Sequence, residues 1–143
     1  MRNAPAAVSP TLDAALQIVP TTAARSSGPV PMNMFLQTGD ATLDEMVAST
    51  KRGVWVSRFW YTRPVHPLNV VVTGMTRDGT FLIEDGKITS PVRNLRFTQS
   101  YLEAMNHVEA IGKRTMLSQA IAGVSRVPAL KIRGWTFTGV SEY

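Results

Sequence analysis

Cysteine is absent from this chain of 143 residues, which excludes disulfides and thiolate chemistry, removes the softest metal ligand and fits a reducing cytoplasm. Histidine is nearly absent. His66 and His107 fall in different segments, whereas a helical pair needs spacing near i,i+4 to converge on one metal ion. No apolar window approaches the ~20 residues of a transmembrane helix. A secretory signal is not expected either, because Gln17 interrupts the first apolar run and only Arg2 precedes it. Clustered charge is the last absence. Lys and Arg number 15 against 10 Asp and Glu, a formal +5, but the basic residues are scattered as singles and pairs, and phosphate tracking needs a clustered stripe. The charge therefore reads as a solvated surface, with neither membrane nor nucleic acid as an expected partner. A chain of this length makes one domain and can bury a core without metal or disulfide staples.

Residues 1–28 differ in kind from the rest, being rich in Ala, Pro, Ser and Thr with few charges, and they read as a disordered tail. One piece is periodic. Leu12, Leu16 and Val19 have helical spacing, Asp13 stands in the first turn and Pro20 ends it, but a helix this short is marginal alone. The folded domain is expected over residues 29–143.

Within it, the stretch Gly74 to Phe97 organises its neighbours. Asp78-Gly79 and Asp85-Gly86 are dipeptides that supply positive φ cheaply, so they predict two tight turns holding the strand Thr80 to Ile83 between them. Upstream, Met32 to Gln37 predict a short strand. Thr42 and Glu45 have capping-box spacing at the start of a helix from about Leu43 to Arg52, with Gly53 as its C-terminal cap. Val54 to Thr62 is the strongest strand pattern, with Trp55, Phe59 and Tyr61 on one face and Val56 and Trp60 on the other. Asn69 to Thr73 and Val92 to Thr98 predict two more strands. Ser100 and Glu103 open a second helix, with Leu102, Met105 and Val108 to Ile111 inward and Gly112 as its stop. Residues 113–127 give no clear pattern. Leu130, Ile132, Trp135 and Phe137 share one face only if a bulge at Arg133-Gly134 adds one residue. The fold class is α+β, mainly β: an antiparallel curled sheet or barrel-like domain with two helices.

Candidate binding residues lie on polar positions of this sheet. Arg58, between Val56 and Trp60, either stacks on Trp60 with its head at solvent or a carboxylate, or clamps a bound carboxylate or peptide carbonyl. Arg77 and Asp78 sit at a predicted turn, and Asn94, Arg96, Thr98 and Ser100 lead into a helix start. These six, Arg58, Arg77, Asp78, Asn94, Arg96 and Ser100, form the candidate peptide or partner site. Turn chemistry, capping and ion pairs are the plain structural roles for the same side chains. No carboxylate pair, and no nucleophile with a base, stands at a recognisable spacing, so no catalytic or metal-ligating residue is assigned. Trp55, Phe59, Tyr61 and Trp135 are more aromatic surface than one sheet of this size readily hides, which predicts an exposed patch and self-association of the isolated chain.

Four blocks, GDATLDEM, RGVWVSRFWYTR, GMTRDGTFLIEDGKITSPVRNLRFTQS and VPALKIRGWTFTG, taken in that order over Ser26 to Tyr143, resemble the C-terminal domain of the TldD/PmbA, or modulator of DNA gyrase, family. The resemblance implies one domain of a larger, two-domain chain that dimerises around a large internal cavity and serves a cytoplasmic metallopeptidase system acting on peptides. In catalytic members a His-Glu-x-x-x-His helix and a cysteine in a glycine-rich loop hold zinc. Neither element is present here, and the interval from Ile111 to Pro128 that would carry the cysteine loop is short. The chain thus resembles the non-catalytic partner subunit, with no cofactor of its own and with the family's N-terminal domain or partner subunit as its expected partner. A start in mid-family suggests a truncated or split gene, and the alternative is a free-standing fragment acting as a peptide or protein interaction module.

Overall fold

The structure, a computed structural model, describes residues 6–9, 34–120 and 123–140. In chain order the elements are β1 (Ala6–Ser9), α1 (Leu43–Ala48), β2 (Arg52–His66), β3 (Val71–Glu84), β4 (Lys87–Pro91), β5 (Leu95–Ser100), α2 (Tyr101–Met105), β6 (Val108–Ala120), β7 (Gly123–Arg133) and β8 (Phe137–Val140), with a 3-10 turn at Pro67–Asn69. The strands form one sheet in the order β6-β7-β1-β2-β3-β5-β8, and β4 pairs with β3 off this path. Its pairs are antiparallel except for β1 with β2. The expected mainly β architecture with two helices is what forms. The sheet stays open between β6 and β8 and does not close into a barrel. β1 falls inside the stretch read as a tail, and the predicted helix over Thr11 to Val19 lies outside the described residues. Of the predicted strand at Met32 to Gln37, the described part makes a single parallel bridge, Phe35 to Arg126.

The capping box forms as expected. The Glu45 N–H donates to Thr42 Oγ1 at 3.1 Å, and Glu45 Oε2 accepts from the Thr42 N–H at 2.7 Å. These bonds hold the Glu45 carboxyl below its ordinary range. α1 stops at Ala48 and does not run on to Arg52. The Ser49 and Thr50 hydroxyls donate back to the carbonyls of Glu45 and Met46, both at 2.7 Å, a local competition that disfavours further helix. Gly53 is a strand residue opposite Ile83, not a helix cap.

β2 and β3 are long strands of 15 and 14 residues, and here the expected turn at Asp78-Gly79 fails: β3 runs straight through it. Val56 pairs with Thr80 but Arg58 pairs with Arg77, so Asp78 and Gly79 stand together opposite Ser57 as a bulge. Asp78 has φ 61° and Gly79 φ 136°. The positive φ read from this dipeptide is real, and the structure uses it to bend a strand. The bulge also changes the phase of β2. Val54 and Val56 are buried before it and Phe59 after it, so Phe59 shares their face and not that of Trp55. At Asp85-Gly86, by contrast, φ values of 46° and 77° make the expected tight hairpin turn between β3 and β4. This turn docks on the end of α1, where the Asp85 and Gly86 N–H groups donate to the Lys51 and Thr50 carbonyls at 2.8 and 3.0 Å. A Cβ on Gly86 would stand 2.7 Å from the Ala48 carbonyl oxygen.

The second helix is shorter than its pattern predicts. Tyr101 and Ala104 face inward while Leu102 and Met105 are exposed, and Val108 to Ile111 belong to β6. Residues 113–127, which lacked a clear pattern, lie mostly in the β6–β7 hairpin, with residues 121–122 outside the described set. Leu130, Ile132, Trp135 and Phe137 do join one core, though not through a bulge in one strand. β7 ends at Arg133, Gly134 takes φ 76°, and the chain crosses to pair β8 with β5.

That crossing lays Trp135, 3% exposed, over the sheet. Its ring stacks on Phe59 at 5.0 Å between centroids and lies 5.3 Å from Phe97 and 5.8 Å from Tyr101, distances at which aromatic pairs attract beyond simple burial. Val54, Val56, Val72, Leu130 and Ile132 complete this cluster. A smaller one under α1 joins Met46, Ile83 and Ala129, with Trp55 packed against it. Lys131 fastens α1 to the sheet from below: its Nζ donates to the Ser49 carbonyl and hydroxyl, each at 3.0 Å, and stands 3.5 Å from Glu109.

Candidate functional site

The bulge in β3 assembles the part of the molecule where most of the candidate residues meet. Arg58 and Arg77 are direct cross-strand partners, so their side chains leave the same face of the sheet. Because Asp78 is in the left-handed region, its carboxylate turns back toward them. Arg58 Nη2 lies 2.5 Å from Asp78 Oδ2, and Arg77 Nε lies 4.0 Å from Oδ1. Trp60, two residues beyond Arg58, carries both guanidinium groups over its ring, at 4.7 and 5.8 Å from the centroid. The pair is partly exposed, 37% and 55% for Arg58 and Asp78, so water screens it and its contribution to stability is small. Arg58 Nε is buried with no protein partner.

Arg96 belongs to the same face. Trp60 pairs with Met75 and Met75 with Arg96, a row running across three strands. Arg63 stacks on Tyr61 at 4.1 Å from the ring centroid and donates to its hydroxyl. Tyr61 itself has φ 54°, at a second register shift between Trp60 and Arg63. Two of the four non-glycine residues with positive φ among the described residues therefore border this group, Tyr61 next to Trp60 and Asp78 on Arg58, and left-handed backbone costs roughly 1–2 kcal/mol per residue.

Asn94 and Ser100 stand apart from this group. The Thr80 hydroxyl lies 2.7 Å from that of Thr76 and 3.5 Å from Asn94 Oδ1, and both threonines are buried, so Asn94 ends on a polar contact of the interior. Ser100 caps α2, accepting from the Glu103 N–H at 3.3 Å, and donates to the Asn69 carbonyl at 3.0 Å. The residue that sequence reasoning placed wrongly is Trp60. The strand pattern puts it on one face with Val56, yet Val56 is buried and Trp60 is 44% exposed. Its stacking under Arg58, whose head rests on the Asp78 carboxylate, is the structural role expected from the Arg58–Trp60 spacing. Of the four aromatics expected to leave an apolar patch, Phe59 and Trp135 are buried and Trp55 is packed under α1, so only Tyr61 remains exposed.

A cavity of about 460 Å³ lies elsewhere, between the first turn of α1 and β6, lined by Thr42, Asp44, Lys113, Arg114 and Met116 among others. None of the six candidate residues lines it. Among the described residues no three His, Asp or Glu side chains gather where one metal ion could bind. His107, just after α2, has its Nδ1 2.9 Å from the Glu103 carbonyl oxygen, and His66 ends β2. The face around Trp60 thus offers planar, delocalised cations on an aromatic plate, a chemistry of recognition and not of bond cleavage.

Residues 11–139 match the family model of the PmbA/TldA metallopeptidase C-terminal domain, a longer match than the resemblance from Ser26 onward. Similar solved structures include TldE from Thermococcus kodakarensis, at TM-score 0.63 and 17% identity over 73% of this chain and 23% of that one. A candidate modulator of DNA gyrase from Bacteroides thetaiotaomicron aligns at TM-score 0.60 and 27% identity over 73% of this chain and 22% of that one. Another, from Thermotoga maritima, gives TM-score 0.55 and 19% identity over 70% of this chain and 23% of that one. No curated protein matches the chain. It spans less than a quarter of the length of these solved chains. With a family match across most of its length and the same fold in these structures, the chain belongs to the PmbA/TldA metallopeptidase C-terminal domain family.

Proposed function

We propose that this chain serves a TldD/PmbA-like metallopeptidase system as a non-catalytic C-terminal domain, shaping the peptide-binding cavity or the subunit interface of a larger, dimeric, cytoplasmic assembly. The observation that carries this reading is the match over residues 11–139 combined with coverage of only 22–23% of the solved chains. Its partner is then the family's N-terminal domain or a partner subunit, and the peptide is a substrate of the whole assembly. Exposed apolar side chains support such a partner: Phe35 at 72%, Leu117 at 65% and Leu68 at 87% leave surface that an assembly would cover.

The zinc of catalytic family members does not fit the residues present. A hydrolytic zinc needs three protein ligands and an open position. This chain has no cysteine, and its described residues offer no cluster of three His, Asp or Glu. No chemical step is therefore assigned to it.

Co-expression with the N-terminal part of a family member, or with a partner subunit, tests the proposal. The expected result is a stoichiometric complex on sedimentation, together with self-association of the chain when alone. A stable monomer at high micromolar concentration that binds neither would refute it and leave a free-standing interaction module.

A further inference from the structure

We propose that the open sheet face around Trp60 is a docking shelf for an acidic, extended polypeptide segment, whose carboxylates take the place of Asp78 on Arg58 and Arg77 and reach Arg96. This deepens the docking role proposed above and rests on it. α1 covers this side of the sheet at one end, over Ile83 and Ala129. Beyond the bulge the same face continues uncovered as Arg58, Trp60, Arg77 and Arg96.

Three observations point to a carboxylate partner. The charge is unbalanced, since three arginines share this face and Asp78, the one acid in an ion pair with any of them among the described residues, reaches only Arg58 and Arg77. Asp78 already demonstrates the fit, because its carboxylate sits 2.5 Å from Arg58 with both arginines held over Trp60. Arginine forks match carboxylate geometry. The spacing suits an extended chain as well. Arg77 and Arg96 are offset by one strand and two residues, about 8 Å at Cα, given ~4.8 Å between strands and ~6.8 Å for two residues along one. Side chains on one side of an extended segment are spaced by about 7 Å, so acids at alternate positions meet both cations. A nucleic acid would instead call for a line of cations following a phosphate path, whereas two of these three crowd over one aromatic ring.

Asp78 is then an internal competitor that keeps the arginines aligned until the partner's acid displaces it. This gives the shelf a signature that a merely structural ion pair lacks: removing the internal acid should tighten binding.

The test uses the full chain and fluorescence anisotropy of a labelled peptide of alternating glutamate and alanine, with a glutamine-for-glutamate twin and a thymidine oligonucleotide of equal charge as controls. The glutamate peptide is expected to bind, and the twin to bind at least about tenfold more weakly. Surface ion pairs are worth up to about a factor of five in affinity. Arg77→Gln and Arg96→Gln should each weaken binding by about that factor with an unchanged melting curve, and Asp78→Asn should strengthen it similarly. Equal binding of the twin, tighter binding of the oligonucleotide, or weaker binding by a folded Asp78→Asn variant would each overturn the proposal. A chain that assembles with its family counterpart but ignores the glutamate peptide refutes the shelf and spares the docking role. A chain that does neither refutes both.

Discussion

Replacing Trp135 tests the core most directly, because this one side chain packs against β2, β5 and α2 together. Trp135 follows β7 and precedes β8, is 3% exposed, and touches Phe59, Phe97 and Tyr101. Trp135→Ala removes an entire indole from a site whose walls belong to β2, β5 and α2, elements held by their own pairing and unable to collapse inward. Large-to-small changes of this kind cost about 3–5 kcal/mol, a large share of the roughly 5–15 kcal/mol that holds a domain together. Trp135→Phe should behave differently. It keeps a ring against Phe59, and it removes Nε1, a buried donor with no protein partner, whose desolvation costs about 1–3 kcal/mol. That relief offsets much of the lost volume, so the phenylalanine variant should fall within about 1.5 kcal/mol of the parent. Urea unfolding followed by far-UV circular dichroism measures both. With m near 1–3 kcal/mol/M, the alanine variant should lose more than 1 M in midpoint and the phenylalanine variant well under half of that. An alanine variant with an unmoved midpoint would show that the crossing is peripheral. Equal damage by both substitutions would show that the indole N–H is satisfied after all.

Deleting Trp135 to Tyr143 should abolish cooperative melting, since it removes β8 and exposes the edge of β5 as well. Lys131→Met should lower stability by about 1–3 kcal/mol in the same urea assay, because it strips the Ser49 carbonyl and hydroxyl of their shared donor. Gly86→Ala should cost more than about 1 kcal/mol, given φ 77° and the Ala48 carbonyl 2.7 Å from the new Cβ, whereas Gly139→Ala, with nothing within 4 Å, should leave the melting temperature unchanged. The capping box should give stability a pH dependence. A carboxyl held below its ordinary value of 4.5 contributes fully above that value and loses its contribution as pH falls through the lowered one. Glu45→Gln, which removes the titrating carboxyl, should therefore flatten the acid limb of the melting profile below pH 4.5, and an unchanged limb would refute the assignment. Elemental analysis of the purified chain should find no stoichiometric zinc, and one tightly held zinc lost on changing His66 or His107 would refute that expectation.

Local signals were legible where one short segment settles the outcome. The Thr42/Glu45 box and the Asp85-Gly86 hairpin needed only neighbours in sequence, and both form. Asp78-Gly79 carries the same signal as Asp85-Gly86, yet one bends a strand and the other reverses the chain. What separates them is the long pairing of β2 with β3, a tertiary fact invisible in the dipeptide. The β6–β7 hairpin was unreadable for a related reason: its strands alternate weakly and are interrupted by Gly112 and Pro128, and their register is fixed only by each other. For the candidate site, the residue types were legible and the grouping was not. Arg58, Arg77, Asp78 and Arg96 share one face because a bulge and cross-strand register bring them there, while Asn94 and Ser100, equally polar in sequence, are engaged by Thr80, Asn69 and the start of α2.

β1 has a consequence for how the protein is made. Ala6–Ser9 lies between β2 and β7 and pairs Ala6 with Arg133, so the first of the described strands needs one of the last to complete its neighbours. The β2–β3–β5 meander and the β6–β7 hairpin can each zip up from nearby residues, but they become one sheet only when β1 slots in between. Such distant pairing is slow, because loop closure must be achieved before any contact rewards it. Until then, β2 and β7 hold apart a gap one strand wide, bordered by unpaired N–H and C=O groups that any extended segment can occupy. Copies of this domain can therefore trade their β1 strands, and refolding yield should fall with concentration sooner than the size of the domain alone would suggest.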